Sequence, residues 1–202
     1  MNRIIKSWVV LAALGLVAAL PMSASAQTQL ATGKPTVFKV TVTKVELYNG
    51  TSFVTVFSGS SQLDLVAAAG GTAFPGISTL TLPAGTYSQF RVTFSNSFTM
   101  QGSLASGGTT YYTTATTINS SAASVASTSA GALAQATIAN PSWGALGDPV
   151  TNTVAISSVT IAAGTAYAPT LKFDISTSLV LNTLSGVFYF TLAPITITLI
   201  PG

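Results

Sequence analysis

Chemistry in this chain would have to come from four carboxylates. Glu46, Asp64, Asp148 and Asp174 are its only acids, and it contains no histidine and no cysteine. That composition removes Ser-His-Asp and Cys-His nucleophilic catalysis, together with the usual zinc, copper and haem ligands. A glycosidase needs two carboxyls roughly 5–10 Å apart with separated pKa values, and the spacing of these four suggests no pair. Calcium asks for several clustered oxygens. With no Asp-x-Asp or Asp-x-Asn run, only a single site built on Asp64 or Asp148 with carbonyls is conceivable. Asp64, inside "QLDLV", reads as a turn or strand-end hydrogen-bonding residue, and Asp148-Pro149 reads as a turn. The sequence therefore assigns no catalytic residue, no cofactor-binding residue and no metal ligand, and an enzyme is not expected.

The cations point outward, to export. Arg3 and Lys6 sit in a short basic stretch, followed by an apolar run from Trp8 to Leu20 and the small-x-small site Ala24-Ser25-Ala26. This is the pattern of a signal peptide over residues 1–26. The apolar run is shorter than the roughly 20 residues that cross a bilayer, so no transmembrane segment is expected in the mature chain. Without cysteine there is no lipobox for lipid anchoring and no disulfide to staple the core. Residues 27–202 are then one secreted domain, extracellular or at the cell surface. Losing Arg3 and Lys6 takes the basic residues from 7 to 5 against 4 acids, a net charge of +1. No basic patch is left to neutralise several phosphates, which excludes nucleic acid as a partner.

The elements that would position these groups are strands. "TVFKVTVTKVELY" (Thr36–Tyr48) places Phe38, Val40 and Val42 on one face, then slips by one to Val45 and Leu47, as a β-bulge would produce. "NGT" (Asn49–Thr51) is a hairpin turn into "SFVTVF". Further alternating runs end in "ITITLI" (Ile195–Ile200), and none beyond the leader has helical periodicity. Many short strands with Gly/Pro turns mean an all-β, antiparallel β-sandwich, immunoglobulin-like or prealbumin-like. An outer-membrane barrel fits less well, because Phe90, Phe94 and Phe173 lie mid-strand with inward phase rather than in girdles. Ser103 to Ala139 stands apart: 28 of its 37 residues are Ser, Thr, Ala or Gly. It reads as a long, partly mobile insertion over about 103–140, with at least one strand, at "TTYYTTATTI". The N-terminal "QTQLATGKP" reads as a mobile polar arm.

One phrase occurs twice: "ISTLTLPAGTYSQFRVTF" (Ile77–Phe94) and "ISSVTIAAGTAYAPTLKFDI" (Ile156–Ile175). Each is strand, Ala-Gly-Thr corner, strand, with Gly85 and Gly164 placed where a positive φ would cost nothing. Phe90, Val92 and Phe94 face inward and Arg91 outward; Leu171, Phe173 and Ile175 face inward, Lys172 and Asp174 outward. If these strands were neighbours, Arg91 and Asp174 would pair across the sheet as a solvated ion pair worth about 0.2–1 kcal/mol.

The ordered set Val40-x-Val42-x-x-Val45-x-Leu47, Leu63-Asp64-Leu65, "LPAGTYSQFR" (Leu82–Arg91), Phe173-Asp174-x-x-x-Ser178 and Pro194-Ile195 resembles the secreted family known as domain of unknown function 4382. The likeness runs over most of Val37–Leu199. The chain departs from it in lacking a lipobox cysteine and in its Ser/Thr/Ala insertion. The resemblance implies a secreted β-sandwich and no activity.

Charge is nearly absent elsewhere: Val92–Gly147 and Ile175–Gly202 contain no charged residue. Ordinary surfaces carry roughly a quarter charged residues to remain soluble and monomeric. The expectation is a self-assembling structural protein, a subunit of an extracellular filament or surface layer, joined by strand addition at its edges. The alternative is a secreted binding module for glycans or another cell-surface ligand, with Tyr111, Tyr112 and Trp143 as its aromatic platform.

Overall fold

The computed structural model describes residues 27–68, 72–73, 80–118, 123–139, 150–162, 166–167 and 170–200. Trp143, Asp148, Gly164 and the signal peptide read over 1–26 lie outside them.

Alternation makes β2 (Val37–Tyr48) a strand with Phe38, Val40 and Val42 buried. Its register shifts between Val42 and Lys44, after which Val45 and Leu47 face the core. A one-residue slip exchanges the two faces of a strand, so the bulge keeps the apolar set inside. The turn that follows is built by Asn49, whose Oδ1 accepts from the Thr51 and Ser52 N–H groups at 3.0 and 2.9 Å, and by Gly50 at φ +92°. It leads into β3 (Phe53–Asp64).

Three antiparallel sheets and a short strand pair surround one core. In the first sheet the order is β10 (Ala136–Ala139), β6 (Gly85–Gln101), β2, β3, with β11 (Val150–Ile161) also on β6. Because β6 is 17 residues long, its second edge is shared: β11 takes Gly85–Phe94 and β10 takes Ser97–Met100. The second sheet runs β1 (Thr28–Gly33), β14 (Leu179–Leu184), β15 (Val187–Leu192), β9 (Ala123–Ser127), β8 (Thr109–Ile118), β7 (Ser103–Ser106). The third sets β16 (Thr196–Ile200) and β4 (Thr72–Ala73) on either side of β13 (Thr170–Asp174). The pair is β5 (Leu80–Thr81) with β12 (Ala166–Tyr167).

Phe38, Phe90, Phe94 and Phe98 of the first sheet meet Leu179, Leu181, Phe190 and Leu192 of the second, with Leu171, Phe173 and Ile197 of the third. The fold is an antiparallel β-sandwich. Each such side chain contributes about 1.5–3 kcal/mol on full burial, which is how the fold holds without a disulfide.

Three expectations are corrected. The stretch 103–139 is mostly strand, not a loop: β8 and β9 complete the second sheet and β10 joins the first. Small residues there fill tight places; Thr113, Ser124 and Ala136 are fully buried. Thr113 fastens the stretch, its Oγ1 accepting from Gly102 N–H at 3.1 Å and donating to Ala134 O at 2.9 Å. The N-terminal arm is likewise ordered as β1 on β14. Gly33, which ends β1, lies against the Leu104 side chain, which would have to shift to admit a Cβ. Finally, Gly85 does not take a positive φ; it is the first residue of β6.

The repeated phrase has a structural meaning. Its copies pair with each other, β11 along β6 and β12 along β5, with Ile161 opposite Gly85 and Ala166 opposite Thr81. Both copies thus pass together from the first sheet into the small strand pair.

Candidate functional site

Eight of the nine charged residues of 27–202 are described, and the strands sort them into three groups. Lys39 and Asp64 face each other across β2 and β3. Asp64 ends its strand, its Oδ1 accepting from Val66 N–H at 3.0 Å.

The second group lies on the outer face of the first sheet. There the register sets Glu46 opposite Arg91 of β6, two strands that neighbour each other although far apart in sequence. Arg91 Nε donates to Glu46 Oε2 at 2.7 Å, and Lys44 Nζ lies 2.7 Å from Oε1. The Glu46 side chain is 5 % exposed, against 29 % for Arg91 and 42 % for Lys44. The Arg91 guanidinium also sits 3.7 Å from the centroid of the Phe53 ring, whose other neighbour is the Tyr48 ring at 5.1 Å. Arg91's hydrogen bond, opposed by burial and aided by Lys44, holds the Glu46 carboxyl below the usual carboxylate range. The expected Arg91–Asp174 pair is therefore wrong: β6 and β13 are not neighbours, and Arg91's partner is Glu46. A carboxylate with both oxygens committed to cations is poorly placed to exchange protons, so this group holds the sheet together.

The third group is open. Lys34, from the link between β1 and β2, and Lys172 and Asp174 of β13 line a cleft of about 360 Å³ with Phe173, Ile175 and Ser176. Phe173 and Ile175 are buried in the core, while Lys34, Lys172 and Asp174 are exposed. No ion pair joins these three to any described residue. Ser176 N–H donates to Asp174 Oδ1 at 3.0 Å, and this bond, with the nearby Lys172 charge, lowers the Asp174 pKa. A second hollow, lined by Ile118, Leu184, Ser185, Val187 and Tyr189, contains no charged side chain among the described residues.

Other motif residues serve the fold. The Tyr87 hydroxyl donates to Pro83 O at 2.9 Å, tying the strand back to its own corner. The Ser178 hydroxyl donates to Ile175 O at 3.0 Å and closes the turn between β13 and β14. Of the expected aromatic platform, Tyr111 is stacked on Phe188 at 4.7 Å and Tyr112 alternates to the opposite face of β8, while Trp143 lies outside the described residues. Among the described residues there is no group of three or more His, Cys, Asp or Glu able to hold a metal. No helix among them is long and apolar enough to cross a membrane.

Sequence reasoning placed Arg91, Lys172 and Asp174 on outer faces but missed Glu46 as a partner and Lys34 as a cleft residue. For Glu46 a signal was present, a lone acid in outward phase between Val45 and Leu47. For Lys34 there was none.

The family model described as Domain of unknown function (DUF4382) matches residues 35–194. No curated protein and no solved structure matches the chain.

Proposed function

We propose, for a chain that belongs to the DUF4382 family, a role as a secreted, non-enzymatic structural protein that self-associates by β-strand addition into an extracellular filament or surface layer. The observation that supports this reading most is β1. It is a six-residue strand, the first of the described elements, paired among the described strands only with β14 and linked to β2 by residues 34–36. Its first residues, Thr28 and Gln29, are exposed. A neighbour's β1 entering the same position on β14 would restore every backbone hydrogen bond it displaces, so exchange costs little beyond association itself. When a subunit gives its strand to one neighbour and receives a strand from another, the contact is head-to-tail and propagates, whereas a reciprocal exchange would close as a dimer.

Edge chemistry supports the same reading. The outer strand β3 has no charge and no proline from Phe53 to Leu63, the usual defences against edge pairing. Its protection is bulging, where its register against β2 shifts twice. The glycan platform has less support, since Tyr111 is committed to Phe188.

The test uses Gln27–Gly202 in light scattering and negative-stain electron microscopy, with the variant Thr28→Cys/Thr183→Cys. These positions are register partners between β1 and β14, and the chain has no other cysteine. Oxidising the assembled variant should link subunits into a covalent ladder on a denaturing gel, whereas oxidising it first should lock monomers. A wild-type chain that stays monodisperse and monomeric at high concentration overturns the proposal.

A further inference from the structure

We propose that the cleft between the β1–β2 link and β13 binds an acidic sugar, with its carboxylate held by Lys34 and Lys172 and its ring hydroxyls donating to Asp174. The first ground is distribution. On a surface nearly free of charge, three of eight described charged residues line one cleft of about 360 Å³. Elsewhere the strands bring opposite charges face to face: Glu46 is gripped by Arg91 and Lys44, and Lys39 stands across from Asp64 in register, though without an ion pair. Here two ammonium groups and a carboxylate share a cleft without forming an ion pair.

The second ground is the donor–acceptor set. Ammonium groups only donate and an ionised carboxylate only accepts. The ligand that matches both kinds of group best presents an anion and hydroxyl donors together. A neutral sugar offers the lysines only uncharged hydroxyl acceptors, and a phosphate dianion meets Asp174 as a like charge without hydroxyl donors to spare for it. A uronate satisfies all three groups. The third ground is order in the site: Ser176 N–H orients Asp174, and Lys172 and Asp174 stand two apart on β13, on one face of the strand. Lys34 belongs to the 34–36 link that strand exchange would move, so the titration is run at a concentration where the chain is monomeric, and its outcome is separate from that of self-association.

The experiment is a titration of ¹⁵N-labelled Gln27–Gly202 at low salt with glucuronate, glucose and inorganic phosphate, followed by amide shifts. Glucuronate should give a saturable response centred on Lys34 and Lys172–Ser176, with glucose and phosphate about tenfold weaker or more. Exposed charge contacts contribute modestly, so Lys34→Gln and Lys172→Gln should each weaken binding about two- to fivefold, and together about tenfold. Lys39→Gln, outside the cleft, should leave it unchanged. A polyuronate should show the same specificity at higher apparent affinity, locating the source as a polymer rather than a free acid. Equal binding of glucose or phosphate, shifts spread over every lysine, or no saturable response would each overturn the proposal.

Discussion

Glu46 and Asp174 are both single carboxylates on strands of the same sandwich, each with cations close by, yet their circumstances are opposite. Glu46 stands on β2 with a strand on either side, and the register brings Arg91 onto one oxygen and Lys44 onto the other. Phe53 and Tyr48 continue the cover, and the carboxylate ends nearly buried. Asp174 ends β13, where the cross-strand partner is the uncharged Thr196, so Lys172 and Lys34 remain near it without closing on it. A charge between two paired strands becomes part of the scaffold. Asp174, at the end of β13, stays exposed and is held by the Ser176 N–H instead of by a cation.

The contrast is broken most directly at Arg91. Arg91→Ala should cost about 1.5–3 kcal/mol in urea unfolding, because it leaves a nearly buried carboxylate with Lys44 alone. A loss below about 0.5 kcal/mol would mean that the Glu46 group is no more structural than an exposed pair. Arg91→Lys should fall in between, at about 1 kcal/mol, because an ammonium keeps the charge but loses the flat contact with Phe53.

Acid titration sharpens the comparison next. The Glu46 carboxyl is lowered in the folded state, so its stabilisation is fully present above its unfolded value, about 4.3, and is lost as pH falls through the folded value. Wild-type stability should therefore fall below about pH 4.3, and Glu46→Gln should flatten that limb of the curve. Asp174 shifts in the same direction but is exposed, so Asp174→Asn should leave the limb in place. An unchanged limb in Glu46→Gln would assign the acid sensitivity elsewhere. The smallest effect belongs to the cleft: Lys172→Gln should not move the thermal midpoint measurably while it weakens uronate binding. A stability loss as large as that of Arg91→Ala would erase the distinction between the two groups.

Much of the sandwich was legible locally. The inward phases of Phe38, Val40, Phe90, Val92, Phe94, Phe173 and Ile175, the slip after Val42, and the Asn49-Gly50 turn all follow from alternation and turn chemistry within a few residues. The Ser/Thr/Ala stretch misled for the same reason. Small residues carry little apolar signal, yet Thr113 and Ser124 are buried through hydrogen bonds to partners such as Ala134 and Thr114, which no local pattern predicts.

By itself the sequence determined which side chains each strand turns inward, because a strand's period of two is set by its own backbone. It also determined the scarcity of charge and the absence of histidine and cysteine. Which outward charges meet was decided only by the tertiary structure. Residues 46 and 91 touch because β2 and β6 pair in one register, and residues 34 and 172 share a cleft because the β1–β2 link passes β13. Strand pairing joins segments through backbone groups that every residue carries, so the choice of neighbour lies in how whole faces pack rather than in any local pattern.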